Sequence, residues 1–383
     1  MIVKRLRLRN FRNYELLEAE FSDKLNIFYG ENAQGKTNVL EAVFLCATGR
    51  SHRTLKDTEM IMFGKNSATV TLELERENYG STTGIEIEIQ RSGKKAILVN
   101  GIAQQRAGDL LGRLNCVIFS PEDLAIIKDE PQVRRRFLDM FISQIKPAYY
   151  YNLHRYLGVL RQRNALLRQV RDNAQLLDTI GAWNIPLAEL GAKVIRERGE
   201  FIEKIGACAK INHALITGGR EELKLIYEPA LKYTGAANNG DDLAPGSTEE
   251  EAIRRAFINA LERGLQTDIA RMSTQCGPQR DDIGCTVDGK NIRLYGSQGQ
   301  QRTAALALKT AQVDVMTAEI GDTPVMLLDD VMSELDRGRQ KNISDNMKRA
   351  QTFITGTERY AAAGPERETA YFFIENGKFS NDH

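Results

Sequence analysis

Residues 30–37 read Gly30-Glu31-Asn32-Ala33-Gln34-Gly35-Lys36-Thr37, and this stretch decides the fold class. It fits the spacing G-x-x-x-x-G-K-S/T. Glycines let such a loop wrap tightly, so backbone N–H groups can converge on phosphate oxygens. Lys36 is long enough to reach the β and γ phosphates, and the Thr37 hydroxyl is a ligand for Mg²⁺. The flanks supply the context this chemistry needs. LNIFY (25–29) is a short apolar run that reads as a buried strand. TNVLEAVFLCAT (37–48) carries Leu40, Val43 and Phe44 at helical spacing, with Gly49 as its C-cap. That helix adds its positive N-terminal end to the anion site. An ordinary glycine-rich turn with an exposed lysine would have neither flank. The stretch therefore predicts an α/β nucleotide-binding fold that uses Mg²⁺, with residues 30–37 and the following Asn38 lining the nucleotide, which the order of the downstream motifs makes ATP.

A phosphate loop needs a carboxylate at the end of another apolar strand to hold its metal. Val325-Met-Leu-Leu-Asp329-Asp330 supplies one. Asp329 is the expected Mg²⁺ partner alongside Thr37, and Asp330 is placed to orient or deprotonate an attacking water. Just upstream, Tyr295-Gly-Ser297-Gln-Gly299-Gln300-Gln-Arg-Thr precedes a strongly helical run. A Ser-x-Gly turn at a helix N-terminus is a second anion-binding arrangement. Alone it is weak, since a plain helix cap has the same residues. Its order before the Asp-Asp strand, with Ser333-Glu-Leu335-Asp336 after it, is that of ATP-binding-cassette heads. Ser297, Gly299, Gln300 and Asp336 therefore join the nucleotide site as candidates, Ser297 with a catalytic role beside Lys36 and Asp330.

The remaining pattern divides the chain into three parts. Residues 1–120 read as the N-terminal part of an ATPase head, mostly β. In IVKRLRL, Ile2, Leu6 and Leu8 share one face with Lys4 interrupting, and Val3, Arg5 and Arg7 take the other. TVTLEL and IEIEI alternate as antiparallel strands, Asn100-Gly101 marks a hairpin, and CVIFS is a further buried strand. Residues 121–275 read as an inserted, mainly helical lobe. Leu153, Leu157, Leu160, Leu167 and Val170 share one helical stripe, and Leu187, Leu190, Val194, Phe201 and Ile205 another. KYTGAANNGDDLAPG (232–246) reads as a loop, and Ser247 with Glu250 as a capping box. Residues 276–383 return to α/β as the C-terminal part of the head, with a hairpin in TVDGKNIRL, a helix from Arg302 to about Glu319, one from Asp336 to Arg349, and strands at TFIT and YFFIE.

Composition excludes several classes. Of 383 residues, 42% are hydrophobic and 27% charged, close to ordinary globular usage. No apolar run approaches the roughly 18 residues of a membrane span, and MIVKRLRLRNFRNYE lacks the apolar core of a signal peptide. Both point to a cytoplasmic protein with no membrane partner. The five cysteines are scattered and never spaced C-x-x-C, so buried free thiols are expected rather than disulfides or zinc. Net charge is only +1, yet residues 128–171 hold ten Lys/Arg against three acids. Such asymmetry suggests a polyanion partner for one region.

The ordered set LRNFRNY (8–14), GENAQGKTN (30–38), FSPEDL (119–124), RRRFLD (134–139), GPQRDD (277–282), GSQGQQR (296–302) and LLDDVMSELD (327–336) resembles the RecF family of bacterial recombination and repair proteins, relatives of the SMC ATPases. The resemblance spans nearly the whole chain. It implies an ABC-type head with an inserted helical lobe and an ATP-dependent homodimer. It further implies DNA at single-strand gaps, at single-/double-strand junctions or in duplex form. RecO and RecR are the implied partners in placing RecA, with links to the SOS response and replication restart. Arg12 and Asn13 fall at family positions near the nucleotide. One departure is visible: Gln279 stands where the family commonly has His. No sustained heptads separate the two halves of the head, which disfavours the alternative of an SMC-like chromosome-structuring ATPase. A metabolic P-loop kinase, the other alternative, should lack the Ser297 turn.

Arg134, Arg135 and Arg136 are the first DNA-contact candidates, although a solvated helix face is the commoner meaning of such a run. The face of the first strand carrying Arg5, Arg7 and Arg9 is the second. Tyr149, Tyr150 and Tyr151 could stack on bases, but tyrosines at a helix start are more often core. The four histidines are dispersed and receive no catalytic role.

Overall fold

A computed structural model describes residues 1–76, 82–170, 173–233, 248–335, 337–359 and 368–382. The chain forms two compact units. The first comprises residues 1–125, 208–222 and 297–383, the second 126–207 and 223–296. The sequence divides the chain instead at 120/121 and 275/276.

The first unit contains two six-stranded sheets. In one, Thr369–Glu375, Leu25–Tyr29, Thr352–Gly356, Val325–Leu328 and Cys116–Phe119 run parallel in that order, and Lys378–Asp382 adds an antiparallel edge. Parallel strands are covered on both faces and so read as unbroken apolar runs; Val325–Leu328 is buried at every residue. Phe28 lies between Phe353 and Phe372, with ring centroids 6.1 and 4.9 Å away. The strand bearing the phosphate loop and the strand bearing Asp329 are therefore separated by one strand, Thr352–Gly356.

The other sheet is antiparallel, in the order Tyr14–Glu20, Ile2–Phe11, Ser67–Glu75, Thr82–Gln90, Lys95–Val99, Ile102–Ala103. One face is wet, hence the strict alternation. A register shift between Val3 and Arg5 puts Val3, Leu6, Leu8 and Phe11 on the buried side. The assignment of Val3 to the wet face is thus corrected: the bulge at Lys4 resets the period. Asn100 (φ 50) and Gly101 (φ 76) make the expected tight hairpin turn. Helix Lys36–Thr48 ends on Gly49 at φ 70 as expected. Helix Gln298–Ile320 begins earlier than the expected Arg302, because Ser297 and Gln300 close a capping box there.

The second unit is mainly helical. Its main helices are Pro131–Ile145, Pro147–Val170, the residues of Gly181–Thr217 up to 207 and Glu249–Arg263, and the last three share a core of Tyr156, Leu160, Leu187, Ile195, Ile253 and Phe257. The stripe on Pro147–Val170 runs through Tyr149, Tyr156, Leu160, Arg163, Leu167 and Val170. Leu157, expected on it, is 37% exposed. Arg163 belongs on the stripe because Asp268 (2.7 Å), Thr274 (2.7 Å) and Asn184 (3.0 Å) take its hydrogen bonds. The capping box of Glu249–Arg263 is Thr248 with Glu251, one residue beyond the expected pair. The unit also holds a three-stranded antiparallel sheet of Lys290–Asn291, Asp282–Val287 and Leu223–Glu228. Leu223–Glu228 is a strand within the stretch read as helical.

Candidate active site

The phosphate loop starts where Leu25–Tyr29 leaves the parallel sheet. Gly30 (φ 143) lies so close to the neighbouring strand that a Cβ would stand 2.3 Å from the Ile374 carbonyl oxygen. Gly35 (φ 115) would place a Cβ 2.5 Å from the Asn13 side chain. Only glycine fits either position. Glu31, Asn32 and Ala33 are exposed at the loop tip. Gln34 is fastened from both sides: its backbone carbonyl accepts from Asn13 Nδ2 (2.7 Å), and its side-chain oxygen accepts from the Asn376 backbone N–H (2.6 Å). Asn38 Nδ2 donates to Asn13 Oδ1 (2.8 Å), and Tyr14 donates to the Gly35 carbonyl (3.1 Å).

Lys36 is 4% exposed. Its ammonium donates to the carbonyls of Gly30 and Glu31, both at 2.8 Å, so the side chain folds back along the loop. Burial lowers its pKa, with the carboxylates of Asp330 and Asp329 opposing. Thr37 Oγ1 donates to Asp329 Oδ1 at 2.7 Å. Burial holds Asp329 above the usual carboxylate range, against the hydrogen bonds from Thr37 and Thr355. These two oxygens suit Mg²⁺, which takes one or two protein ligands and fills its octahedron with phosphate and water. Asp330 is half-buried with φ 52, a costly backbone region for a non-glycine residue, and its N–H donates to Thr355 Oγ1 (2.9 Å).

Ser297 and Gly299 are exposed at the start of the Gln298–Ile320 helix. Ser297 Oγ accepts from the Gln300 N–H (3.2 Å), and Gln300 returns a bond to the Ser297 N–H (2.9 Å). Gln300 also donates to Glu221 (2.9 Å), and the Gly299 carbonyl accepts from Arg339 (2.9 Å). All these partners lie outside the phosphate loop. Asp336 lies outside the described residues.

Arg12, at φ 53, makes a two-pronged contact with Glu41 (2.8 and 2.6 Å) and donates to the Glu59 carbonyl (2.8 Å). Glu41 is fully buried on the helix behind the loop. Burial favours its neutral form, but hydrogen bonds from Arg12 and Ser51 outweigh this and lower its pKa. Arg12 thus braces that helix, and Asn13 braces the loop. Sequence reasoning missed Glu41, Ser51 and Thr355, since none stands in a recognisable spacing.

In the second unit, the arginine run proves mixed. Arg134 is 5% exposed and clamps Asp282 with 2.6 and 2.9 Å bonds. Arg135 donates to the Asp281 carbonyl (2.5 Å). This corrects the DNA-contact assignment of Arg134: the guanidinium is consumed by a carboxylate. Arg136 is exposed. Asp281 accepts from Arg198 (3.2 Å), from the Ala230 N–H (2.9 Å) and from Tyr227. Gln279 accepts from Tyr156 and donates to the Cys276 carbonyl (2.8 Å), so in the GPQRDD segment Gln279 and Asp281 form a polar junction while Arg280 is exposed. Tyr149 is also core, donating to Asp139. On the first strand, Arg5 and Arg7 pair with Glu20 and Glu18, which leaves less free positive charge than the bare sequence shows.

The family described as RecF/RecN/SMC N terminal domain matches residues 2–378. A relative from Ruminiclostridium cellulolyticum called DNA replication and repair protein RecF is 43% identical over 94% of this chain and 93% of its own. One of the same description from Clostridium tetani is 42% identical over 99% of each chain. The chain belongs to the RecF family. A solved structure described as the recombination mediator protein RecF-ATP in the RecFOR pathway is similar with a TM-score of 0.90 and 35% identity, covering 100% of this chain and 98% of that one. The Smc head domain of Pyrococcus furiosus shares the fold alone, at a TM-score of 0.56 and 16% identity over 100% of this chain and 96% of that one. RecF membership accounts for the mixed α/β head and its helical insertion. No helix among the described residues is long and apolar enough to cross a membrane.

Proposed function

We propose that the protein is a DNA-dependent ATPase that works as a nucleotide-controlled dimeric clamp on DNA. The observation that carries this reading is the convergence of Lys36, Thr37, Asp329 and Asp330 at one end of the parallel sheet, with the Ser297 turn exposed and bonded elsewhere. ATP is the substrate. Loop N–H groups and Lys36 bind its phosphates once Lys36 exchanges its carbonyl partners for phosphate oxygens. Thr37 and Asp329 would hold Mg²⁺, which would supply positive charge to offset that of the phosphates. Asp330 orients the attacking water and takes its proton.

The Ser297 turn supplies the second half of the site, from the other subunit of a head-to-tail pair. Its hydroxyl accepts within its own cap, which leaves the O–H free to donate to a γ-phosphate, and the helix N-terminus favours that charge. Gly299 supports this use. A Cβ there would meet only ordinary contacts inside the chain, 3.7 Å to Arg339 and 3.8 Å to Ser297, so internal packing does not demand glycine whereas close approach by a nucleotide would. Hydrolysis then removes the γ-phosphate that joins the subunits.

DNA at single-strand gaps and single-/double-strand junctions is the proposed partner, with RecO and RecR assisting in placing RecA during recombinational repair and replication restart. RecF membership supports this cellular role and removes the metabolic-kinase alternative. The test is phosphate release with and without gapped DNA. Stimulation by DNA is expected, and turnover that ignores DNA would refute the coupling.

A further inference from the structure

Thr355 lies on the strand between the phosphate-loop strand and the Asp329 strand, and its side chain joins both carboxylate residues. Its Oγ1 donates to Asp329 Oδ1 at 2.9 Å. The same oxygen accepts the Asp330 backbone N–H at 2.9 Å. The residue is 1% exposed, so water does not substitute for it. Asp329 Oδ1 also receives Thr37 Oγ1 at 2.7 Å, which makes it the meeting point of two hydroxyls. Asp330 departs from the strand with a left-handed backbone at φ 52, and its N–H bond to Thr355 is one restraint that holds the turn.

We propose that Thr355 is a positioning residue for the metal and water sites, acting through Asp329 and Asp330 without touching nucleotide. The donated hydroxyl leaves Asp329 one fixed orientation. When Thr37 turns its oxygen toward the metal, Thr355 remains as the hydrogen bond that aims the carboxylate. The accepted N–H fixes where the Asp330 side chain starts. Partners of this kind, one bond removed from a metal ligand, typically change metal affinity 10–100-fold when lost. This inference rests on the ATPase reading above.

The test uses the full chain with Thr355→Val, which keeps the branched shape but lacks the hydroxyl, and Thr355→Ser, which restores it. Binding of a fluorescent ATP analogue is titrated with Mg²⁺, and Mn²⁺ binding in the presence of ADP is followed by electron paramagnetic resonance. For Thr355→Val the metal midpoint should rise about tenfold or more, while nucleotide binding without metal stays unchanged. Thr355→Ser should return the midpoint to within about threefold of the parent value, well inside the tenfold shift expected of an outer-shell loss. An unchanged midpoint in Thr355→Val, or a Ser variant as weak as Val, overturns the proposal. If the valine variant fails to fold, Thr355→Ala takes its place with the same expectation. A parent protein that shows no metal-dependent nucleotide binding overturns the ATPase reading itself; a parent that shows it beside an unaffected valine variant overturns only the role of Thr355.

Discussion

Lys36 is buried with its ammonium on two carbonyl oxygens, a geometry suited to a compact point charge rather than a planar fork. Lys36→Arg should therefore abolish DNA-stimulated hydrolysis, measured as released phosphate, because the guanidinium is bulkier and its donors are fixed in plane. Unchanged turnover would place the chemistry elsewhere. Asp330→Asn should keep ATP binding, since Thr37 and Asp329 remain, and should lower phosphate release at least about a hundredfold, the scale of a lost general base. A nucleotide-binding assay beside the phosphate assay separates the two effects. At this scale the sequence was legible wherever chemistry demands a fixed spacing. Gly30, Gly35, Lys36 and Thr37 could be placed by pattern alone. Thr355 and Glu41 could not, because a threonine in an apolar strand and a glutamate in a helix look ordinary until the fold brings their partners to them.

Among the elements, the helix Pro131–Ile145 separates two arginines two positions apart. Arg134 is fixed to Asp282, and Arg136 faces solvent. Removing one partner of a largely buried pair costs about 3–5 kcal/mol, and the lower value applies because the Asp282 side chain keeps 26% exposure. Arg134→Ala should thus lower the unfolding midpoint while leaving the salt dependence of DNA binding as it is. Arg136→Ala should leave stability near the parent value and flatten log affinity against log salt by about 0.9 if it meets one phosphate. The reverse pattern would return the DNA role to Arg134. Legibility at this scale followed periodicity and failed where tertiary partners overrode it. The bulge at Lys4 swaps the faces of the first strand. Arg163 sits on an apolar stripe because Asp268 meets it there. Leu223–Glu228 is a strand because Asp282–Val287, more than fifty residues away in sequence, pairs with it.

For the molecule as a whole, the decisive feature is that residues 30–37 meet 329–330 at one sheet end while the Ser297 turn carries its own cap and is exposed. The proposed ATP-joined dimer rests on that division. The head fold and its helical insertion were readable from the order of motifs, since each motif carries a physical requirement for its neighbours. The compact units were not, because residues 208–222 pack with the head and 276–296 with the helical unit, and neither boundary carries a composition change. The dimer also predicts complementation. Ser297→Arg mixed with Lys36→Arg should recover at most one composite site, and therefore no more than about half the parent activity per dimer, provided the two sites fire independently.

Sedimentation in solution tests the shared nucleotide site, with mass recorded for the parent, Asp330→Asn and Ser297→Arg, each with and without ATP and gapped DNA. A shared site predicts a monomer without ATP for all three, an ATP-dependent dimer for the parent, a dimer that persists in Asp330→Asn, and a monomer that still binds ATP in Ser297→Arg. A Ser297→Arg protein that dimerises with ATP as the parent does would contradict the shared site.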